Sequence, residues 1–314
     1  MSPQPQYLLN PIDYTQATQL LIILKNKGFH HLFRYENQVQ CQNTLNLVDN
    51  EADPSIVLLI DIYRGQFNIY PLNSQVLTEF LDKIDWENGF LTPYKNHPNI
   101  NWEEIYNRVG INRVGIDRHF KKTERVVFAG LLKENESYCI ESLRKYFDQV
   151  RIDDEIFDSL VLPITNVQET INELKKNLDG NESLLTIEDA EKVSKYHLWK
   201  YKSDESINFL RLACSSNISG AYRVKNENGE WELASWIIHY TDGSIGSLYT
   251  DDKYRGKGYA KKVSSFIIIK MLENGYTQPY CYINIDNAAS QKAMRGLGFQ
   301  PATLTKWVIA SKTN

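Results

Sequence analysis

Two turn dipeptides, Asn228-Gly229 and Asp242-Gly243, bracket the run WELASWIIHY and decide what this part of the chain can become. Both positions of such a pair tolerate a positive φ, so each closes a tight hairpin and neither continues a helix. The flanking runs SGAYRVKN and SIGSLYT are β-prone, so an antiparallel meander of three strands is expected from about 219 to 250. A helix follows from about Lys257 to Asn274, then a strand PYCYINID, a helix AASQKAMRGLG and a last strand TLTKWVIAS.

The first half reads as α/β without a chemical motif. Its helices are YTQATQLLIILKNKG, VLTEFLDKI and YCIESLRKYF, and its strands IVLLIDIY, QFNIY and ERVVFAGLL. NRVGINRVGID, at 107–117, is a tandem repeat too short for a solenoid. The polar stretch 167–184 is expected to connect an N-terminal domain, 1–166, to a C-terminal one, 185–314. The latter opens with Thr186 as helix N-cap before LTIEDAEKVSKYHLW continues, followed by the helix ESINFLRLAC.

Bulk properties exclude several classes. With 314 residues and 42% hydrophobic content the chain can bury two cores, and a net charge of −4 offers no general field for nucleic acid or an anionic membrane. No apolar run approaches the roughly 18 residues of a membrane span. The start has neither secretory nor transit character, so a cytoplasmic location is expected, with a mitochondrial one the alternative that the family resemblance described below implies. Cys41, Cys139, Cys214 and Cys281 are dispersed, which reads as buried thiols and predicts no metal site.

Against that acidic background, GSLYTDDKYRGKGYAKKV concentrates Lys253, Arg255, Lys257, Lys261 and Lys262 around Gly256 and Gly258. A strand runs into a short loop and then into a helix, so unpaired amides and the positive end of the helix dipole face outward. Small residues let an anion approach the main chain, and a pyrophosphate suits the site. No Gly-Lys-Ser/Thr closes a nucleotide-triphosphate loop, and Lys261 stands where a dinucleotide fingerprint needs its third glycine. The lysines also read as an ordinary solvated helix start.

Arg255, Gly258 and Ala260 fit the pattern [RQ]-x-x-G-x-[GA], which resembles the acyl-CoA loop of the GNAT superfamily of N-acyltransferases. Asn287-Ala288-Ala289-Ser290 and the downstream Gly298-Phe299 stand where that superfamily has them. DDKYRGKGYAKKV with SWIIHYTDG upstream resembles the glycine N-acyltransferase-like family in particular, over most of residues 120–300. The resemblance implies tandem GNAT-like domains with mixed, mostly antiparallel sheets flanked by helices, the N-terminal domain being degenerate. It implies acetyl-CoA or a longer acyl-CoA as co-substrate and a small amine, such as the amino acid glycine, as acceptor. Leu248, Tyr249 and Thr250 would then hold pantetheine through main chain. Arg255, Gly256, Lys257, Gly258, Tyr259 and Ala260 would hold the pyrophosphate, and Asn287 and Ser290 either contact CoA or simply cap their helix.

The chain departs from those relatives at the proton-transfer groups. Ser244 stands where they place a glutamate base, and Met294 where many GNAT enzymes place an acidic tyrosine. His239 is read either as a substitute base or as a surface hairpin residue, and Glu232 either as a base or as a solvated strand end. Tyr282 is either the acid or a packing ring. Trp231, Trp236 and Trp307 are expected in core or cleft walls. The alternatives to an acyltransferase of small amines are a CoA-binding protein without turnover and a protein N-acetyltransferase.

Overall fold

The computed structural model describes residues 8–29, 31–109, 114–152, 155–196 and 204–313. Part of the tandem repeat and the end of the helix expected after Thr186 lie outside the described residues. The chain divides into two compact units, residues 1–157 with 303–314, and residues 158–302.

The strands in chain order are β1 (Asn10–Ile12), β2 (Thr44–Val48), β3 (Ile56–Asp61), β4 (Phe67–Pro71), β5 (Arg125–Leu132), β6 (Gln149–Ile152) and β7 (Phe157–Val161). They continue with β8 (Glu182–Leu184), β9 (Gly220–Lys225), β10 (Trp231–His239), β11 (Ile245–Thr250), β12 (Tyr280–Asn284) and β13 (Gln300–Ser311). The first unit orders its sheet β1-β2-β3-β4-β5-β13, with β6 also on β13. Every residue of β3 is buried, which explains why IVLLID is continuously apolar where a half-solvated strand would alternate. Leu58 and Ile60 join a cluster with Leu77 and Leu81 of the helix Ser74–Lys83. Val57 and Leu59 pack on the other face against Ala17, Leu20 and Leu24 of the helix Tyr14–Asn26. That helix begins with a capping box in which Asp13 and Gln16 exchange hydrogen bonds.

The second unit orders its sheet β7-β12-β11-β10-β9-β8. One face carries the helix Tyr259–Glu273, which buries Val263, Ile267 and Met271. It sits close because β9 begins with Gly220, where an added Cβ would lie 3.2 Å from the Val263 side chain. The other face packs Trp236 and Ile238 against Ala190, Val193, Leu210 and Ala213 of the helices Ala190–Tyr196 and Asp204–Cys214. Thr186 caps as expected, accepting and returning bonds with Asp189.

The fold class expected from the sequence holds. Among the details that differ are β2 and the helix Leu32–Cys41, which polar residues conceal; the helix-prone stretch 167–184 carries the helix Val167–Lys175 and also β8. One strand placement could not be read locally: β13 follows the second unit in sequence yet completes the sheet of the first.

His119 is fully buried in the first unit, its Nε2 2.8 Å from the Gly65 carbonyl and its ring 4.8 Å from Phe67. Burial pushes its pKa down to about 4, against a smaller upward pull from Gly65. The unfolded chain therefore takes up a proton near pH 6.5 that the folded chain refuses until about 4. Stability is expected to fall as pH drops through that window, by up to about 1.4 kcal/mol per pH unit for this group. Urea midpoints across the window should show His119→Gln, which keeps a donor for Gly65, with a visibly shallower decline.

Candidate active site

Strand β11 lies between two neighbours and is fully paired with only one. Against β10 it runs antiparallel, Trp236 opposite Tyr249 and Ile238 opposite Gly246, so β11 holds one extra residue there. The bulge puts Ser247 at φ +49°, a conformation seldom adopted by a side-chain-bearing residue, and Tyr240 holds it through a 2.6 Å hydroxyl contact. Against β12 the parallel register consists of a single pair, Ile245 with Cys281. Beyond that pair the second edge of β11 leaves its neighbour, and Gly246–Thr250 are half-buried throughout. A strand edge that parts from its neighbour offers main-chain donors and acceptors to an extended ligand.

The end of β11 feeds a single 3₁₀ turn, Asp252–Tyr254, and then the helix Tyr259–Glu273. Gly256 and Gly258 have φ of +77° and +80°, and no side chain caps the helix. Among the described residues, the amides of Gly256 to Ala260 make no hydrogen bond, whereas those of Lys261 and Lys262 already reach the Gly258 carbonyl. Five consecutive main-chain donors are thus presented at the positive end of a helix of 15 residues. Tyr259 is fixed by stacking on Tyr222 at 4.2 Å.

The five cations of the segment have unequal roles. Lys253 Nζ donates to Glu232 at 2.5 Å, Lys262 pairs with Asp179, and Arg255 bonds Asp252 at 2.7 Å. Arg255 also donates from Nε to the Thr250 carbonyl at 3.3 Å and lies 5.4 Å from the Tyr249 ring centroid. Its guanidinium therefore clasps the loop back onto β11. Lys257 and Lys261, both exposed, carry no acid partner among the described residues. They are the charges left to meet an anion.

Of the other expected cofactor contacts, Thr250 shares its hydroxyl with Ser235 at 2.8 Å, and Leu248 lies beside the bulge. Asn287 caps the helix Ala288–Arg295, accepting from the Ser290 amide at 3.1 Å. Sequence reasoning missed Tyr196, stacked on Tyr249 at 4.8 Å, and Asp179, the anchor of Lys262. No local pattern marks either.

The expected proton-transfer groups do not form one cluster: His239 and Ser244 both neighbour Asp242, whereas Glu232 and Tyr282 are engaged elsewhere. His239 is 7% exposed, so it is a core residue and not a surface hairpin one. Burial brings its pKa down to about 4, opposed by Asp242, and its Nε2 has no partner among the described residues. His239 stands in one row with Ile245 and Cys281. By alternation Tyr282 then points to the opposite sheet face, where its ring meets Tyr280 edge-on at 5.5 Å. Ser244 is buried and donates to Asp242 Oδ1 at 2.6 Å. Glu232 accepts from Lys253, from Tyr254 at 2.9 Å and from Asn226 at 3.0 Å. The Lys253 bond foremost holds its pKa down at about 2. Met294 is buried, and burial pushes the Cys281 thiol up. Trp236 is core as expected and Trp307 packs edge-on to Phe157, but Trp231 is 56% exposed beneath the Lys225 ammonium.

The family model described as FR47-like protein matches residues 220–308, which include the bulged strand and the glycine turn. No curated protein matches the chain. A Drosophila protein solved by X-ray crystallography is 14% identical, with a TM-score of 0.69 over 98% of this chain and 100% of that one. That likeness extends the fold to both units. A tandem GNAT protein from the clavulanic acid biosynthesis pathway is 13% identical over 98% of each chain at a TM-score of 0.46. A GCN5-related N-acetyltransferase-like protein from Streptococcus suis is 13% identical over 95% of this chain and all of its own, at 0.43. The Drosophila structure shows a shared fold, and the FR47-like model covers the segment on which the sequence resemblance rests; no match named here is to a glycine N-acyltransferase.

Nothing lies within 4 Å of a Cβ built on Gly258, so the requirement for glycine there comes from its left-handed φ alone. Gly258→Ala is expected to cost about 1 kcal/mol in urea unfolding, and Gly258→Asn less, because asparagine tolerates that conformation. Equal costs would show that contacts, not backbone strain, set the preference.

Proposed function

We propose that the protein is an acyl-CoA-dependent N-acyltransferase, with the second unit as its cofactor-binding half. The observation that carries this reading is the run of unbonded amides from Gly256 to Ala260 at the start of a long helix, directly after a strand that parts from its parallel neighbour. The first element suits a pyrophosphate and the second an extended chain of amides, and CoA contains both in that order. The FR47-like match over the same residues supports it.

In this reading the main chain of Leu248, Tyr249 and Thr250 holds pantetheine, while Gly256 to Ala260 with Lys257 and Lys261 hold the diphosphate. An amine nitrogen attacks the thioester carbonyl, the C–N bond forms and the C–S bond breaks. The amine sheds a proton, and the thiolate, with an intrinsic pKa of about 8.5, takes one up. A main-chain N–H on the open edge of β11 would stabilise the developing oxyanion. The acceptor we propose is a small amine, with an amino acid such as glycine the first to test.

A second reading is favoured by the proton-transfer groups themselves. Ser244 donates its proton to Asp242, Glu232 is held as a carboxylate by Lys253, and His239 lies in the core with a strongly depressed pKa. A chain that keeps the cradle without a basic group beside it would bind CoA and not turn it over.

Acetyl-CoA is expected to raise the melting temperature saturably. Gly258→Val should abolish the shift, and the double change Lys257→Glu with Lys261→Glu should weaken binding by at least about tenfold. Arg255→Glu should weaken it too, by releasing the loop from Tyr249. If Gly258→Val and Arg255→Glu both respond like the parent, the cradle is elsewhere. Free-thiol release with a panel of amines then separates the readings: turnover with any amine supports the transferase, and binding without release supports the second.

A further inference from the structure

The parting of parallel strands occurs a second time, within the first unit. β4 and β5 share a single parallel register pair, Phe67 with Phe128. Arg34, on the helix Leu32–Cys41 and 3% exposed, reaches the β5 edge beyond that pair. It donates from Nη1 to the Gly130 carbonyl at 2.5 Å and from Nη2 to the Ala129 carbonyl at 3.3 Å. Its guanidinium lies 5.8 Å from the ring centroid of Tyr70 on β4.

Arg34 lines a cavity of about 230 Å³ together with residues from the ends of both strands. Ile69, Leu72 and Leu132 supply apolar wall, and Asn73 and Ser74 begin the helix Ser74–Lys83. Asn73 caps that helix by accepting from the Val76 amide at 3.0 Å, while the amides of Ser74 and Gln75 make no hydrogen bond among the described residues. A buried guanidinium and a helix start therefore share one small, partly apolar chamber. The chain enters the helix through Pro71-Leu72-Asn73, with no glycine-flanked turn, and the volume is too small for a nucleotide coenzyme.

We propose that this cavity binds a small organic carboxylate. The carboxylate meets Arg34 and the first-turn amides, and a short alkyl group lies against Ile69, Leu72 and Leu132. Glu134, exposed and also lining the cavity, suits an ammonium at the outer end. Two sources then share the chemistry, a simple carboxylic acid and a free amino acid. The proposal is independent of the CoA reading, since every residue it uses lies in residues 1–157.

The test is calorimetric titration and thermal melting of the full chain with isovalerate, leucine and the uncharged isostere isovaleramide at matched ionic strength. At least one carboxylate is expected to bind saturably, and isovaleramide at least about tenfold more weakly. Leu132→Trp, which fills the chamber and leaves Arg34 untouched, should remove binding with the parent's fold retained. Leucine binding more tightly than isovalerate assigns the amino acid source, and the reverse assigns a simple acid. The proposal is overturned if neither carboxylate binds up to about 10 mM, if isovaleramide binds equally well, or if Leu132→Trp binds like the parent.

Discussion

Two parallel strands that share only one register pair leave the rest of each facing edge outside the ladder, and each unit of this protein contains such a parting. At β11 and β12 the ladder ends at Ile245 and Cys281, and beyond it the Thr250 carbonyl accepts from Arg255. At β4 and β5 the edge beyond Phe67 and Phe128 is met by the Arg34 guanidinium, which takes up two carbonyls of β5. Buried main-chain groups must find partners, so an open edge belongs either to a ligand or to a side chain recruited to fill it. The same backbone event therefore produces a candidate cofactor groove in one half and a small polar chamber in the other.

What distinguishes the halves is the approach to the helix that follows. After β11 the chain turns through Gly256 and Gly258, both left-handed, and delivers a helix with bare amides. After β4 it passes Pro71 and Leu72 to an asparagine that caps its own helix. The surrounding charges reinforce the difference. Around the glycine turn Glu232, Asp252 and Asp179 each hold one cation against the protein, so the loop is braced before any ligand arrives, while Lys257 and Lys261 meet no acid among the described residues. Preorganisation of this kind lowers the ordering cost of binding.

Much of the second unit was legible because its signals are local. Asn228-Gly229 and Asp242-Gly243 close the hairpins they predict, with Gly229 and Gly243 at positive φ. Thr186 caps, and the apolar run after Gly258 is the long buried helix. The proton-transfer candidates failed to assemble for an equally physical reason. Strand alternation puts neighbours on opposite faces, and spacing along the sequence did not reveal that His239 shares a row with Cys281 while Tyr282 does not. Nor can a pattern of residues show that Asp252 claims Arg255, since the competing partner is decided by loop geometry. In the first unit β2 escaped notice because Thr44 and Asn46, polar yet buried, bond each other inside the sheet.

The return of β13 to the first unit reaches beyond the folded state. A ribosome delivers residues in order, and the sheet of the first unit ends in a strand drawn from 303–311. Its first 157 residues must therefore wait, with the β13-facing edge of β5 uncovered, while the whole of the second unit is synthesised, a delay on the order of ten seconds at ordinary elongation rates. During that interval the nascent chain exposes a ready template for strand addition.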